Sequence, residues 1–294
     1  MPSTAPRRVL ARMLVAALAV FAVSCGSAED ESVFVVGAGD SAESRVLAEI
    51  YAGALARTGL PVRVRTGLGD RAGTLAALDA GAVGLVGEHT GALLAAFDGT
   101  AEATTPAEVG TALNRSLPEG LVVADPAESA DLRPRLLVEP VAARRDGLDS
   151  VRALIPRCPA TTAGVATVPG LLPPGAAIRV AGCEFAAVTS FPSPEALVQA
   201  LRAGVVGVGV LTGPPELVPA AEGLTVLADE DFAVRAENVV PLLRKGVLDD
   251  QRTRKLNYVA GELTTAELVE LVSAVGTGSA PAESARQWLD AHGL

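Results

Sequence analysis

Short apolar runs and longer amphipathic stretches take turns along this chain. Ser32 to Gly37 (Ser-Val-Phe-Val-Val-Gly) has the pattern of a buried strand, and Glu43 to Leu55 places Val46, Leu47, Ile50 and Tyr51 on one helical stripe. Val62 to Thr66 alternates as a strand. Gly73 to Ala80 predicts a helix, Val83 to Val86 a strand and Gly91 to Phe97 a further helix. Thr105-Pro106-Ala107-Glu108 reads as a helix start, with proline at the first helical position and an acid in the first turn, and Leu121 to Ala124 as a strand. After Asp125 the chain turns polar, then returns with an extended segment from Arg135 to Val141 and a short helix over Leu148 to Ile155. Strands are expected at Ile178 to Val180, Leu224 to Leu227 and Val239 to Leu243. Ser193-Pro194-Glu195 opens a helix, Leu248 onward is helical, Thr264 to Glu267 is a capping box, and Ala282 to His292 closes as a helix. Strands alternating with helices predict an α/β fold rather than all-β.

Two of these units nearly repeat each other. Leu75 to Gly91 runs through Leu78, Ala80-Gly81, Val83-Gly84-Leu85 and Glu88-His89-Thr90-Gly91; Val198 to Gly213 runs through Leu201, Ala203-Gly204, Val206-Gly207-Val208 and Thr212-Gly213. Each is a helix that meets a glycine where a left-handed C-cap is needed, then a buried strand, then a polar loop. Open α/β sheets bind ligands at the carboxyl ends of their strands, so two copies predict two α/β lobes facing a cleft. The other reading is chance similarity in a chain rich in Ala, Gly and Val.

The N-terminus changes the picture of where the protein works. Residues 1–24 carry Arg7, Arg8 and Arg12, no acid, and an apolar run from Met13 to Val23, which is too short to span a bilayer and reads as a signal peptide. Ala22-Val23-Ser24-Cys25 resembles a bacterial lipobox, with Ala22 where Leu is usual. That resemblance implies a lipid anchor at Cys25, a tether over 25–32, and an extracytoplasmic protein held to the cell membrane. The Arg7-Arg8 pair is a weak sign of twin-arginine export. The whole chain has 24 Lys and Arg against 34 Asp and Glu, net −10; without residues 1–24 the balance is 21 against 34, net −13. Such acidity argues against nucleic acid as a partner. Once Cys25 is set aside, Cys158 and Cys183 remain, an even pair that in an oxidising compartment reads as a disulfide, buried free thiols being the alternative.

Over almost the whole mature length the residues resemble a known family. Val36-Gly-Ala-Gly-Asp-Ser41, Glu49-Ile50-Tyr51-Ala52, Leu78-Asp-Ala-Gly81, Glu88-His89-Thr90-Gly91, Asn238-Val-Val-Pro241-Leu-Leu-Arg-Lys245, Leu256-Asn257 and Leu263-Thr264 are similar, in order and spacing, to the osmoprotectant (glycine betaine, choline, proline betaine) substrate-binding proteins of ABC importers. The resemblance implies a two-lobe type II periplasmic-binding-protein fold with two hinge crossings, near 136–141 and 227–232. One lobe would comprise 33–137 with 229–294 and the other 138–228, closing on a solute. It implies a monomeric, non-enzymatic protein whose partners are a small-molecule solute and ABC permease subunits.

The ligand set is where the resemblance thins. The family holds a quaternary ammonium among aromatic rings, because a cation without N–H donors is best met by π faces. Here His89 stands where the family commonly has a cage Tyr, and Glu139 where it has a Tyr in the first crossing strand. The expected ligand-binding residues are Gly39, Asp40, Ser41, His89, Thr90, Glu139, Thr212 and Asn238. Two readings stay open: carboxylates including Glu88, Glu139 and Asp40 binding a cation with N–H donors, or a cage rebuilt from Phe185, Phe191 or Phe232. Glu88 and Glu139 fit salt bridges as readily as ligand contacts. No cofactor is expected. Gly37-Ala-Gly39-Asp-Ser-Ala42 formally matches a dinucleotide fingerprint, but the required acid after the second strand is absent from Val62-Arg-Val-Arg65-Thr66. No metal site is expected from His89 and His292 as the sole histidines, and a hydrolase built on His89 lacks a Gly-x-Ser-x-Gly elbow. A transport-inactive surface lipoprotein of the same fold, acting as sensor or scaffold, is the rival function.

Overall fold

The computed structural model describes residues 33–173 and 178–294. The expected signal peptide 1–24, tether 25–32 and lipidation at Cys25 lie outside the described residues.

The first part of the chain builds β1 (Phe34–Gly37), α1 (Ala42–Ala56), β2 (Val62–Arg65), α2 (Arg71–Asp79), β3 (Leu85–His89), α3 (Thr90–Phe97), α4 (Pro106–Ser116), β4 (Leu121–Val123) and β5 (Ala127–Asp131). The middle adds β6 (Arg135–Val138), α5 (Pro140–Asp146), α6 (Val151–Leu154), β7 (Thr162–Ala166), β8 (Ala187–Ser190), α7 (Pro194–Arg202), β9 (Val208–Leu211) and β10 (Thr225–Val226). The chain ends with β11 (Asn238–Arg244), α8 (Asp250–Glu262), α9 (Thr265–Gly276) and α10 (Pro281–Ala291). One sheet has the order β2-β1-β3-β11-β4, with β5 also on β11; the other runs β10-β6-β9-β7-β8. The chain therefore crosses between sheets twice, over 132–134 and 227–237. The first crossing lies earlier than expected because Arg135–Val138 already pairs with β9 in the second sheet.

Both echoed units form, and they hold equivalent places. β3 lies between β1, parallel, and β11, antiparallel, while β9 lies between β7, parallel, and β6, antiparallel. Gly81 and Gly204 each take φ +69°, the left-handed turn that lets α2 and α7 stop and the chain reverse into its strand. The caps read from the sequence are present: Thr105 with Glu108 and Thr264 with Glu267 form complete capping boxes, and Ser193 caps α7. Ile178–Val180 is not a strand; Val180 makes only single bridges to Cys183 and Val234. β5, β7, β8 and α5 went unread because their stretches are small, polar or arginine-rich and lack a marked apolar period.

Cys158 and Cys183 are joined in a disulfide. The apolar core around α1, α8, α9 and α10 continues into Leu171, Leu172, Leu197 and Leu211 of the second sheet's side, so the two lobes share packed surface. The crossings are tied by Arg133, whose Nε lies 2.9 Å from Asp131 Oδ2 and whose Nη1 donates to Asp229 Oδ2 at 3.4 Å.

Candidate functional site

β3 is buried at all five positions, so its side chains must be satisfied on both faces. Leu85, Gly87 and His89 face α1; Val86 and Glu88 face the opposite side. His89 is the last strand residue and Thr90 the first of α3, so neither sits on the free loop expected for them. His89 Nε2 lies 2.6 Å from Glu43 Oε1 in the first turn of α1, with both side chains out of solvent. The other oxygen of Glu43 accepts the Leu172 N–H at 2.7 Å, and the Glu43 N–H donates to the Gly170 carbonyl at 2.9 Å. On the opposite face Arg71 Nε donates to Glu88 Oε2 at 3.0 Å, and Arg71 Nη2 reaches the Pro173 carbonyl at 3.0 Å. The segment 170–173, which follows β7 of the second sheet, is thus gripped by the charged network of the first.

Burial alone would pull the His89 imidazole down. The adjoining Glu43 carboxylate, through charge and hydrogen bond, with Glu237 and Glu88 behind it, outweighs this and lifts the pKa to about 9. His89 is therefore an imidazolium at neutral pH. Burial raises Glu88, with Arg71 and His89 opposing the rise.

The other expected residues are mostly engaged by the fold. Gly39 is buried, and its N–H donates to Ser44 Oγ at 2.8 Å; Ser41 caps α1 by accepting the Ser44 N–H at 3.0 Å; Asp40 is exposed. Thr90 Oγ1 accepts the Asn238 N–H at 3.1 Å, while the Asn238 amide donates to the Ala127 and Glu128 carbonyls. Thr212 Oγ1 accepts the Val168 N–H at 3.0 Å. Glu139 stands apart at the start of α5, 3.9 Å from Arg202 Nε. The structure brings His89, Thr90 and Asn238 together and leaves Glu139 elsewhere. The aromatic candidates do not converge either. Phe185 packs in one core cluster and Phe191 in another, and the Phe232 ring lies 4.1 Å under the Arg133 guanidinium.

A cavity of about 490 Å³ opens beside this network, walled by α3 and the 99–104 loop on one side, by the 178–182 turn on the other, and by the second crossing. Among the described residues, none that lines it is aromatic. Glu237 is its most distinctive group. One carboxylate oxygen, Oε2, accepts the Ala92 N–H at 2.8 Å and so caps α3, whose own N-cap residue, His89, makes no side-chain cap. Gly91 makes this approach possible, since a Cβ there would strike the Ala236 carbonyl and the Glu237 carboxylate. Burial pushes Glu237 up to about 7, against the pull of the His89 charge and the Ala92 N–H. Glu43, Arg71 and Glu237 were missed in the sequence; the single local cue is that Glu237 directly precedes the Asn238 motif.

Two α/β lobes of like topology, each with an antiparallel strand inserted beside its central one and joined by two crossings, define the type II periplasmic-binding-protein fold. Among solved structures the chain is similar to a glycine betaine/carnitine/choline ABC transporter, at 16% identity and TM-score 0.66 over 88% of this chain and 98% of that one. It is also similar to apo YehZ from Escherichia coli, at 18% identity and TM-score 0.65 over 89% and 99%. At such identities the likeness is one of fold. No curated protein sequence matches the chain. The family model for the substrate binding domain of the ABC-type glycine betaine transport system matches residues 33–291, and the chain belongs to that family.

Proposed function

We propose that this chain is the extracytoplasmic, lipid-anchored solute-binding component of an ABC importer, capturing a small solute with a cationic or quaternary-ammonium group between its lobes and delivering it to the permease. The observation that carries this reading is the cavity of about 490 Å³, walled by α3, the 99–104 loop, the 178–182 turn and the second crossing, with Glu237 in its lining. A volume of that order suits a small solute. An acidic group without an aromatic box favours charge and hydrogen bonding over π contact. Membership of a transport family supports the role, and the Cys25 motif supports the anchor.

Titration calorimetry with glycine betaine, choline, proline betaine, polyamines and basic amino acids tests the solute. Saturable binding of at least one is expected, and no binding across the panel, with neutral amino acids failing too, contradicts the reading. Cys25→Ala is expected to move the protein from the membrane to the soluble fraction; continued detergent-dependent retention contradicts the anchor.

A further inference from the structure

Four charged residues line the cavity, Glu102, Arg179, Arg235 and Glu237, and hydrogen bonds hold the last two in place. On the second crossing, Glu237 Oε2 is committed to the Ala92 N–H, and Oε1 has no hydrogen-bond partner among the described residues. Two residues earlier, Arg235 also lines the cavity. Its Nε donates to the Ala103 carbonyl at 2.8 Å and one Nη2 hydrogen to the Ala101 carbonyl, which fixes the guanidinium and leaves the Nη1 hydrogens uncommitted.

Resting on the reading above, we infer that the cavity selects an amino-acid-like zwitterion whose ammonium bears N–H donors, with Glu237 Oε1 accepting from the ammonium and Arg235 facing the anionic end. The reason is hydrogen-bond satisfaction. A partly buried carboxylate oxygen covered only by N-methyl groups loses water and gains no donor, whereas an N–H restores a charge-assisted bond. A quaternary ammonium draws its compensation from π faces, and this lining has none. The guanidinium is held by carbonyls instead of by a carboxylate, so its charge is not neutralised by those contacts.

The test is an N-methylation series on two parents of different length: glycine through sarcosine and dimethylglycine to glycine betaine, and 4-aminobutyrate through to its trimethyl form. Affinity for the purified protein is expected to fall by roughly tenfold or more between the members that carry N–H and the trimethyl member of the better-binding parent. Glu237→Gln is expected to flatten that order. Arg235→Gln is expected to weaken the zwitterion more than the matching amine without a carboxylate. Thermal melts establish that each variant is folded, and the wild-type order is decisive without any variant. Trimethyl members binding as tightly as the amines, or a Glu237→Gln variant that keeps the order, overturns the inference while leaving the solute-binding reading intact. Absence of binding throughout the series also overturns it. Only failure of this series together with the wider panel of betaines, choline, polyamines and basic amino acids reaches the solute-binding reading itself.

Discussion

The two echoed units share a scaffold and part company at its end. In both, a helix stops on a glycine at φ +69° and runs into a strand flanked by one parallel and one antiparallel neighbour. At the end of β9 the chain places Thr212, which satisfies one backbone N–H of the segment beyond β7. At the end of β3 it places Glu88 and His89, which with Arg71 and Glu43 form two buried ion pairs and clasp the 170–173 segment. Scaffold and chemistry are therefore separable: helix, turn and strand recur in both units, while the polar groups at the strand ends differ in kind and in what they bind within the protein. The charge sits in the first lobe, and it is largely spent on the protein itself. Glu237 alone among these carboxylates lines the cavity, and its Oε1 has no hydrogen-bond partner among the described residues.

That asymmetry predicts unequal costs. Glu43→Ala leaves a buried imidazolium and the Leu172 N–H without a partner and should destabilise by about 3–5 kcal/mol in urea unfolding; a loss below about 1 kcal/mol would break the contrast. Reduction of Cys158–Cys183, 25 residues apart in the second sheet's lobe, is expected to cost about 3 kcal/mol, read as a lowered midpoint under reductant. Thr212→Val, the counterpart of the Glu43 change, orphans one buried N–H and should cost about 1–3 kcal/mol. Gly204→Ala meets open space and pays only for the left-handed backbone, about 1 kcal/mol. Gly81→Ala adds displacement of the Arg244 guanidinium and should cost slightly more. Equal effects at the two glycines would mean that Arg244 moves freely.

The pH dependence follows from the same residues. His89 titrates about 9 folded against 6.5 unfolded, so its stabilisation is complete below 6.5 and is lost as pH rises through 9. Glu237, about 7 folded against 4.5 unfolded, likewise contributes below 4.5 and loses that contribution as pH climbs through 7. From these two groups, thermal melts of the solute-free protein should fall as pH rises from 4.5 to 9. A rise across that window would contradict the assignment.

Much of the scaffold was legible because it is local. The caps at Thr105, Ser193 and Thr264, the turns at Gly81 and Gly204, and the disulfide follow from short-range chemistry or from cysteine parity. The site was less legible because its partners are distant in sequence: Glu43 and His89 are 46 residues apart, and Ala92 and Glu237 are 145 apart. Glu43 stands in the first turn of α1, where an acid is ordinarily a solvated dipole partner, and only the tertiary fold buries it. Thr90, Thr212 and Asn238 lie near the strand ends as expected, but their polar atoms close backbone bonds. Glu139 follows β6 of the second sheet and lies 3.9 Å from Arg202, apart from His89, Thr90 and Asn238.

The claim that the first lobe's charge is spent internally is open to one direct reading, because the chain has only two histidines. An NMR titration of the imidazole signals, assigned with His292→Gln, should show His89 titrating near 9 in the wild type and at least one pH unit lower in Glu43→Gln. A His89 that titrates near 6.5 and ignores the Glu43 change would contradict the buried ion pair, and with it the account of how the two units diverge.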